Sequence, residues 1–87
     1  MTVYLLHFAQ PISPAHTARH YIGYTDDLDA RLSEHRAGRG SRFCVVAAER
    51  GIEFVLARTW PGNRTKERQL KRQKMAPRLC PICQAGD

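Results

Sequence analysis

The sequence predicts a small α/β domain of the α+β kind, with its elements in the order β-β-α-(α)-β-α. Three observations predict it. Three short stretches rich in β-branched and aromatic residues are punctuated by Pro and Gly, and capped stretches of helical period separate or follow them. Over 87 residues, 43% are hydrophobic and 25% charged, the balance of one ordinary globular domain with a modest core. That balance excludes wholesale disorder, collagen-like repeats and coiled coil.

Thr2 to Phe8 (TVYLLHF) reads as the first strand, and Gln10 to Ala15, with two prolines, as a loop. Arg19 to Tyr24 (RHYIGY) is the second strand, and its short separation from the first makes an antiparallel hairpin the cheapest pairing. Alternation puts Tyr4, Leu6 and Phe8 on one face, Tyr21 and Gly23 on one face, and His7 and His20 on the opposite faces. Thr25-Asp26-Asp27 opens a helix with polar caps and acids at its positive end, and Gly38 closes it. Leu28 and Leu32 face the sheet, while Arg31 and His35, one turn apart, lie at the border of that apolar stripe. Phe43, Val46, Ala47 and Arg50 fit a helical period ending at Gly51, although Cys44-Val45-Val46 also suits a strand. Glu53 to Trp60 is the third strand, broken by Pro61-Gly62-Asn63. A basic helix runs from about Arg64 to Met75 and stops at Pro77. The expected organisation is one domain over residues 1–78, then a short tail, 79–87, carrying Cys-x-x-Cys.

The longest apolar run, Cys44 to Ala48, is far below the ~18 residues that span a bilayer, and no basic n-region precedes an apolar stretch. A cytoplasmic protein without a membrane partner is expected. Fourteen Lys and Arg against eight Asp and Glu give +6, and a basic domain of this size meets a polyanion. Arg64, Lys66, Arg68, Lys71, Arg72, Lys74 and Arg78 surround a single acid, Glu67. That carboxylate is either a solvated salt-bridge partner or a placed ligand.

Three cysteines without a signal peptide argue against a secreted disulfide framework. Cys80 and Cys83 make half a zinc site, which His16 and His20 could complete if a turn converged them; the other reading is a plain reduced tail with exposed thiols. Cys44 is a small buried hydrophobe.

Tyr4, Tyr21, Arg31, His35 and Glu67 together carry the chemistry for cleaving a phosphodiester. A carboxylate-held metal neutralises the phosphate, a phenol or imidazole takes a proton from water, and an arginine stabilises the pentavalent transition state. A Gly-rich phosphate loop, a Ser nucleophile elbow and a second carboxylate for glycoside chemistry are all missing.

Thr2-Val3-Tyr4 followed by Tyr21-Ile22-Gly23, then Arg31 ten residues beyond Tyr21, His35, Gly38 and Glu67 in ERQLK, resembles the GIY-YIG nuclease domain, and most closely its small stand-alone bacterial members. The resemblance covers residues 2–75. It implies a three-stranded antiparallel sheet flanked by helices and a metal-dependent endonuclease acting on DNA. Tyr4 and Tyr21 would line the active site, Arg31 would contact the scissile phosphate, and His35 would assist proton transfer or phosphate binding. Glu67 would hold Mg2+ (or Mn2+). A tyrosine is the favoured base, Tyr4 slightly ahead of Tyr21, with His35 the competing assignment. The departures are Thr2 for the first glycine, a longer gap between the two tyrosine motifs, and no asparagine after Glu67.

Arg64, Lys66, Arg68, Lys71, Arg72 and Lys74 would track the DNA backbone. The expected substrate is branched, flapped or nicked DNA, cut with structural or weak sequence preference in a setting such as DNA repair, and a protein partner or homodimer would aid targeting. Tyr24 and Trp60 are read as packing residues. Two rival functions are a nucleic-acid-binding module of the same fold that does not cut, with zinc stabilisation, and a zinc-dependent interaction protein built on the Cys80 tail.

Overall fold

The computed structural model describes residues 1–11, 19–73 and 76–85. Strand β1 (Thr2–Phe8) is central in the sheet, paired antiparallel with β2 (His20–Thr25) on one side and β3 (Phe54–Pro61) on the other. Its near-continuous apolar run suits that place, because a central strand covered on both faces has no solvent side to make polar. Val3, Tyr4, Leu5, Leu6 and Phe8 are all fully buried. A bulge between Leu5 and Leu6 shifts the register against β3, so that Leu5 faces Arg58 while Leu6 faces Leu56.

Alternation along β1 divides the interior in two. Tyr4, Leu6 and Phe8 join Leu32, Cys44, Ala47 and Ile52 on one face, with Tyr21, Leu28, Phe43 and Phe54 packed against them. Val3 and Leu5 join Ile22, Leu70 and Cys80 on the other, with Tyr24 and Trp60 packed against that group, as their assignment to packing requires. Helices α1 (Leu28–Arg36) and α2 (Arg42–Glu49) cover the first face. Asp27 caps α1 by accepting from the Ala30 amide, and Ser41 caps α2 by accepting from the Cys44 amide. The helical alternative for residues around Cys44 therefore wins over the strand. Helix α3 (Arg64–Gln73) covers the second face through Leu70.

The structure corrects two local expectations. Arg31 and His35 were placed together at the border of the α1 stripe, yet His35 is 1% exposed while Arg31 keeps a third of its side chain in solvent. The reason is a buried hydrogen bond that lets an imidazole join the core. The C-terminal segment is likewise not a plain tail: α4 (Ala76–Leu79) and α5 (Pro81–Ala85) are short helices, and Cys80 between them is fully buried against Val3 and Leu5. Pro77 and Pro81 are tolerated because each lies in the first turn of a helix, where an amide would lack a partner. His16 and Lys74, expected as a zinc ligand and a backbone contact, lie outside the described residues. Among those described, no helix is long and apolar enough to cross a membrane.

Candidate active site and metal centre

Tyr4 reaches from β1 across the first core to α1, where its hydroxyl lies 2.8 Å from His35 Nε2. The other ring nitrogen, Nδ1, is 3.2 Å from the Arg39 carbonyl oxygen. A carbonyl can only accept, so Nδ1 carries the proton and Nε2 of the neutral ring accepts from the phenol. Burial keeps the imidazole neutral by lowering its pKa, with the Arg39 carbonyl opposing. Burial pushes the Tyr4 phenol up to about 12, and the nearby Arg31 guanidinium only partly offsets it. Both partners are therefore neutral at pH 7.

Two glycines make this geometry accessible. A Cβ at Gly23 would sit 2.5 Å from the Tyr4 hydroxyl oxygen, and one at Gly40, where φ is +98°, would sit 2.8 Å from His35 Cε1 and Nδ1. Only a residue without a side chain lets β2 pass beside the phenol and the α1–α2 loop fold over the imidazole.

Tyr21 faces the same side as Tyr4, with ring centroids 6.2 Å apart, and stands edge-on to His35 at 5.5 Å. It is half-buried, so among the two phenols it is the one at the solvent boundary. Burial raises its pKa, opposed by a hydrogen bond with the Ser41 side chain and by the charge of Arg31. Arg31 is held by the Tyr4 phenol and by Glu34, whose carboxylate is 3.3 Å from its guanidinium.

Glu67 comes from the opposite side of the sheet. Helix α3 lies against β2, which is an edge strand, and its side chains reach around that edge: the Lys71 ammonium sits 5.6 Å from the Tyr21 ring centre. Glu67 is 3.8 Å from Lys71, and its charge is felt at the Tyr21 phenol. Tyr21 thus lies between Tyr4, Arg31 and His35 on the first face and Lys71 of α3, the ion-pair partner of Glu67. Only 15% of the Glu67 side chain is exposed, which places the group at the rim rather than free in solvent. Arg64, Arg68 and Arg72 form an exposed stripe one turn apart along α3.

A second cluster lies on the other face of the hairpin. His7 on β1 and His20 on β2 are direct cross-strand partners. Their ring nitrogens meet the sulfurs of Cys80 and Cys83, all four donor atoms lying within 4.8 Å of one another. This group could hold a metal ion. Burial lowers the pKa of both histidines, aided by the charge of Arg19 and, for His20, by His7. Cys80 and Cys83 are the predicted half-site and His20 is one of the two histidines expected to complete it; His7 is the ligand that sequence reasoning missed. Its signal was present in the antiparallel pairing, because the register that sets Leu6 opposite Tyr21 sets His7 opposite His20. Ser41, beside Tyr21, carried no such signal.

Comparison with known proteins finds a UPF0213 protein of Lactiplantibacillus plantarum, 31% identical over 62 residues. The match covers 68% of this chain and 61% of the relative's length. No protein-family model matches the chain. No solved structure matches it either.

Proposed function

We propose that the chain is a metal-dependent endonuclease of the GIY-YIG type that hydrolyses DNA phosphodiester bonds. The observation that carries the reading is the convergence on Tyr21 of Tyr4, His35 and Arg31 from one face of the sheet and of Glu67 from the other. The ordered resemblance of these residues to the GIY-YIG pattern supports it, as does the arginine stripe on the same helix as Glu67.

In this reading Arg31 binds the scissile phosphate, because its side chain is held by Tyr4 and Glu34 yet keeps a third of its surface in solvent, and its charge is needed most when the phosphorane forms. Tyr21, at the solvent boundary, is the phenol that in its ionised form takes the proton of the attacking water, while Tyr4 is sealed and positions Arg31. His35 holds the Tyr4 proton donor in place and does not meet substrate. Glu67 would hold Mg2+ or Mn2+, which when bound neutralises the phosphate and eases deprotonation nearby. The arginine stripe, with Lys66 and Lys71, tracks the phosphate backbone. Incubation with flapped, branched, nicked and linear DNAs tests the reading: cleavage with Mg2+ that stops in chelator is expected.

A second reading, a nucleic-acid-binding module that does not cut, is favoured by one observation. Tyr4 and His35 satisfy each other and are sealed from solvent. Tight DNA binding without cleavage of any substrate in the panel would select it.

A further inference from the structure

We propose that His7, His20, Cys80 and Cys83 form a closed structural zinc site that fastens the C-terminal helices to the β1–β2 hairpin. The proposal is independent of the nuclease reading.

The donor atoms cluster around His7 instead of pairing off. His7 Nδ1 is 3.3 Å from His20 Nε2, 3.4 Å from Cys80 Sγ and 3.5 Å from Cys83 Sγ. One ring nitrogen has a single proton or a single lone pair, so these contacts cannot all be hydrogen bonds. Cys83 Sγ is also 3.3 Å from His20 Nε2. Around a shared tetrahedral centre, donor atoms are separated by about 1.6 bond lengths; zinc bonds of ~2.0–2.1 Å to nitrogen and ~2.3 Å to sulfur then give edges of ~3.3–3.4 Å between nitrogens, ~3.5–3.6 Å between nitrogen and sulfur and ~3.8 Å between sulfurs. The one nitrogen–nitrogen and three nitrogen–sulfur separations of 3.3, 3.4, 3.5 and 3.3 Å lie within ~0.3 Å of those edges, and all four donors lie within 4.8 Å of one another.

The ligand chemistry selects the ion. Two thiolates and two neutral imidazoles supply two negative charges, which balance a dication and allow the site to sit against the core beside fully buried Cys80. Soft sulfur donors exclude Mg2+ and Ca2+, and tetrahedral S2N2 geometry favours zinc. Four protein ligands leave no position for water or substrate, the mark of a structural site. Binding is not redox: two Zn–S and two Zn–N bonds form, and the two thiol protons go to solvent.

The fold supplies the reason for such a site. Helices α4 and α5 span four and five residues, too short to hold helical structure in water alone. Their packing on the sheet rests on a core group of five buried residues, one of which is Cys80. A metal bonded to both strands and to both ends of the Cys-x-x-Cys turn ties them down, and through His20 it fixes the strand position next to Tyr21.

The test is metal analysis of the full chain, expressed with zinc and purified under reducing conditions without chelator, together with cobalt reconstitution. About one zinc per chain is expected in wild type, in Cys44→Ser and in Glu67→Gln, with loss in Cys83→Ser and in His7→Gln. Cobalt added to chelator-stripped wild type should give the visible bands of a tetrahedral ion and a thiolate charge-transfer band, a readout that stands even if a variant fails to fold. A wild-type chain without stoichiometric zinc, a featureless cobalt spectrum, or full zinc in Cys83→Ser would overturn the proposal.

Discussion

Tyr4 donates its hydroxyl proton to His35 Nε2 at 2.8 Å, and the same imidazole donates from Nδ1 to the Arg39 carbonyl at 3.2 Å. This chain links the central strand, helix α1 and the loop that follows it through two polar side chains with no access to solvent. Removing one partner leaves the other buried and unpaired. Tyr4→Phe should therefore cost ~1–3 kcal/mol in chemical denaturation, and Tyr4→Phe combined with His35→Leu should cost less than the sum of the two single changes. Additive losses would show that the hydrogen bond carries no coupling.

The same burial sets a pH dependence. Tyr4 titrates near 12 in the fold but near ~10 when unfolded, so between those values the unfolded chain has lost a proton that the native chain retains. Its contribution is complete below pH ~10 and is lost as the pH rises toward 12, at up to ~1.4 kcal/mol per pH unit. In urea melts at pH 9 to 12, wild type should lose stability more steeply than Tyr4→Phe; parallel curves would contradict the assignment.

Gly23 is the position where β2 must pass a ring. Because Tyr4 is fully buried and tied to His35, it cannot retreat from a Cβ only 2.5 Å from its oxygen. Gly23→Ala should cost more than ~2 kcal/mol, above the effect of Gly51→Ala, where an added Cβ meets nothing within 4 Å and only the φ of +69° is strained. Comparable melting temperatures for the two variants would remove Gly23 from this account.

Much of the sheet was legible because Thr2–Phe8 has strand residues at every position and the hairpin is local. The alternation that grouped Tyr4 with Leu6 and Phe8, and set His7 and His20 on the far side, follows from the period of two and survives in the structure. What could not be read were contacts between elements distant in sequence. His35 is separated from Tyr4 by 31 positions, so helical periodicity placed it at a border while a partner on another element drew it inside. Cys80 meets His7 across 73 positions, and His7 shows itself in the sequence only through the hairpin register that sets it opposite His20. At Tyr4, desolvation outweighs the lowering effect of the Arg31 guanidinium, a balance set by packing between elements distant in sequence.

The stripe of Arg64, Arg68 and Arg72 is read as a backbone-tracking surface. Arg68→Ala should weaken binding of all DNA sequences alike and reduce the slope of log affinity against log salt by ~1, measured by fluorescence anisotropy. A loss confined to one sequence, or an unchanged slope, would contradict this.

The most direct measurement of the central claim is the single-turnover cleavage rate of branched DNA at saturating protein with Mg2+, compared for wild type, Glu67→Gln and Tyr21→Phe. Among the described residues Glu67 pairs with the half-exposed Lys71 at 3.8 Å, and glutamine keeps its shape, so the amide variant should fold and retain zinc while losing cleavage. Tyr21→Phe should cut at least ~100-fold more slowly. It should also lose the rise in rate with pH that a base with a raised pKa imposes on wild type. Wild-type rates in both variants, or no Mg2+-dependent cleavage by the wild-type chain, would contradict the assignment of this site to phosphodiester hydrolysis.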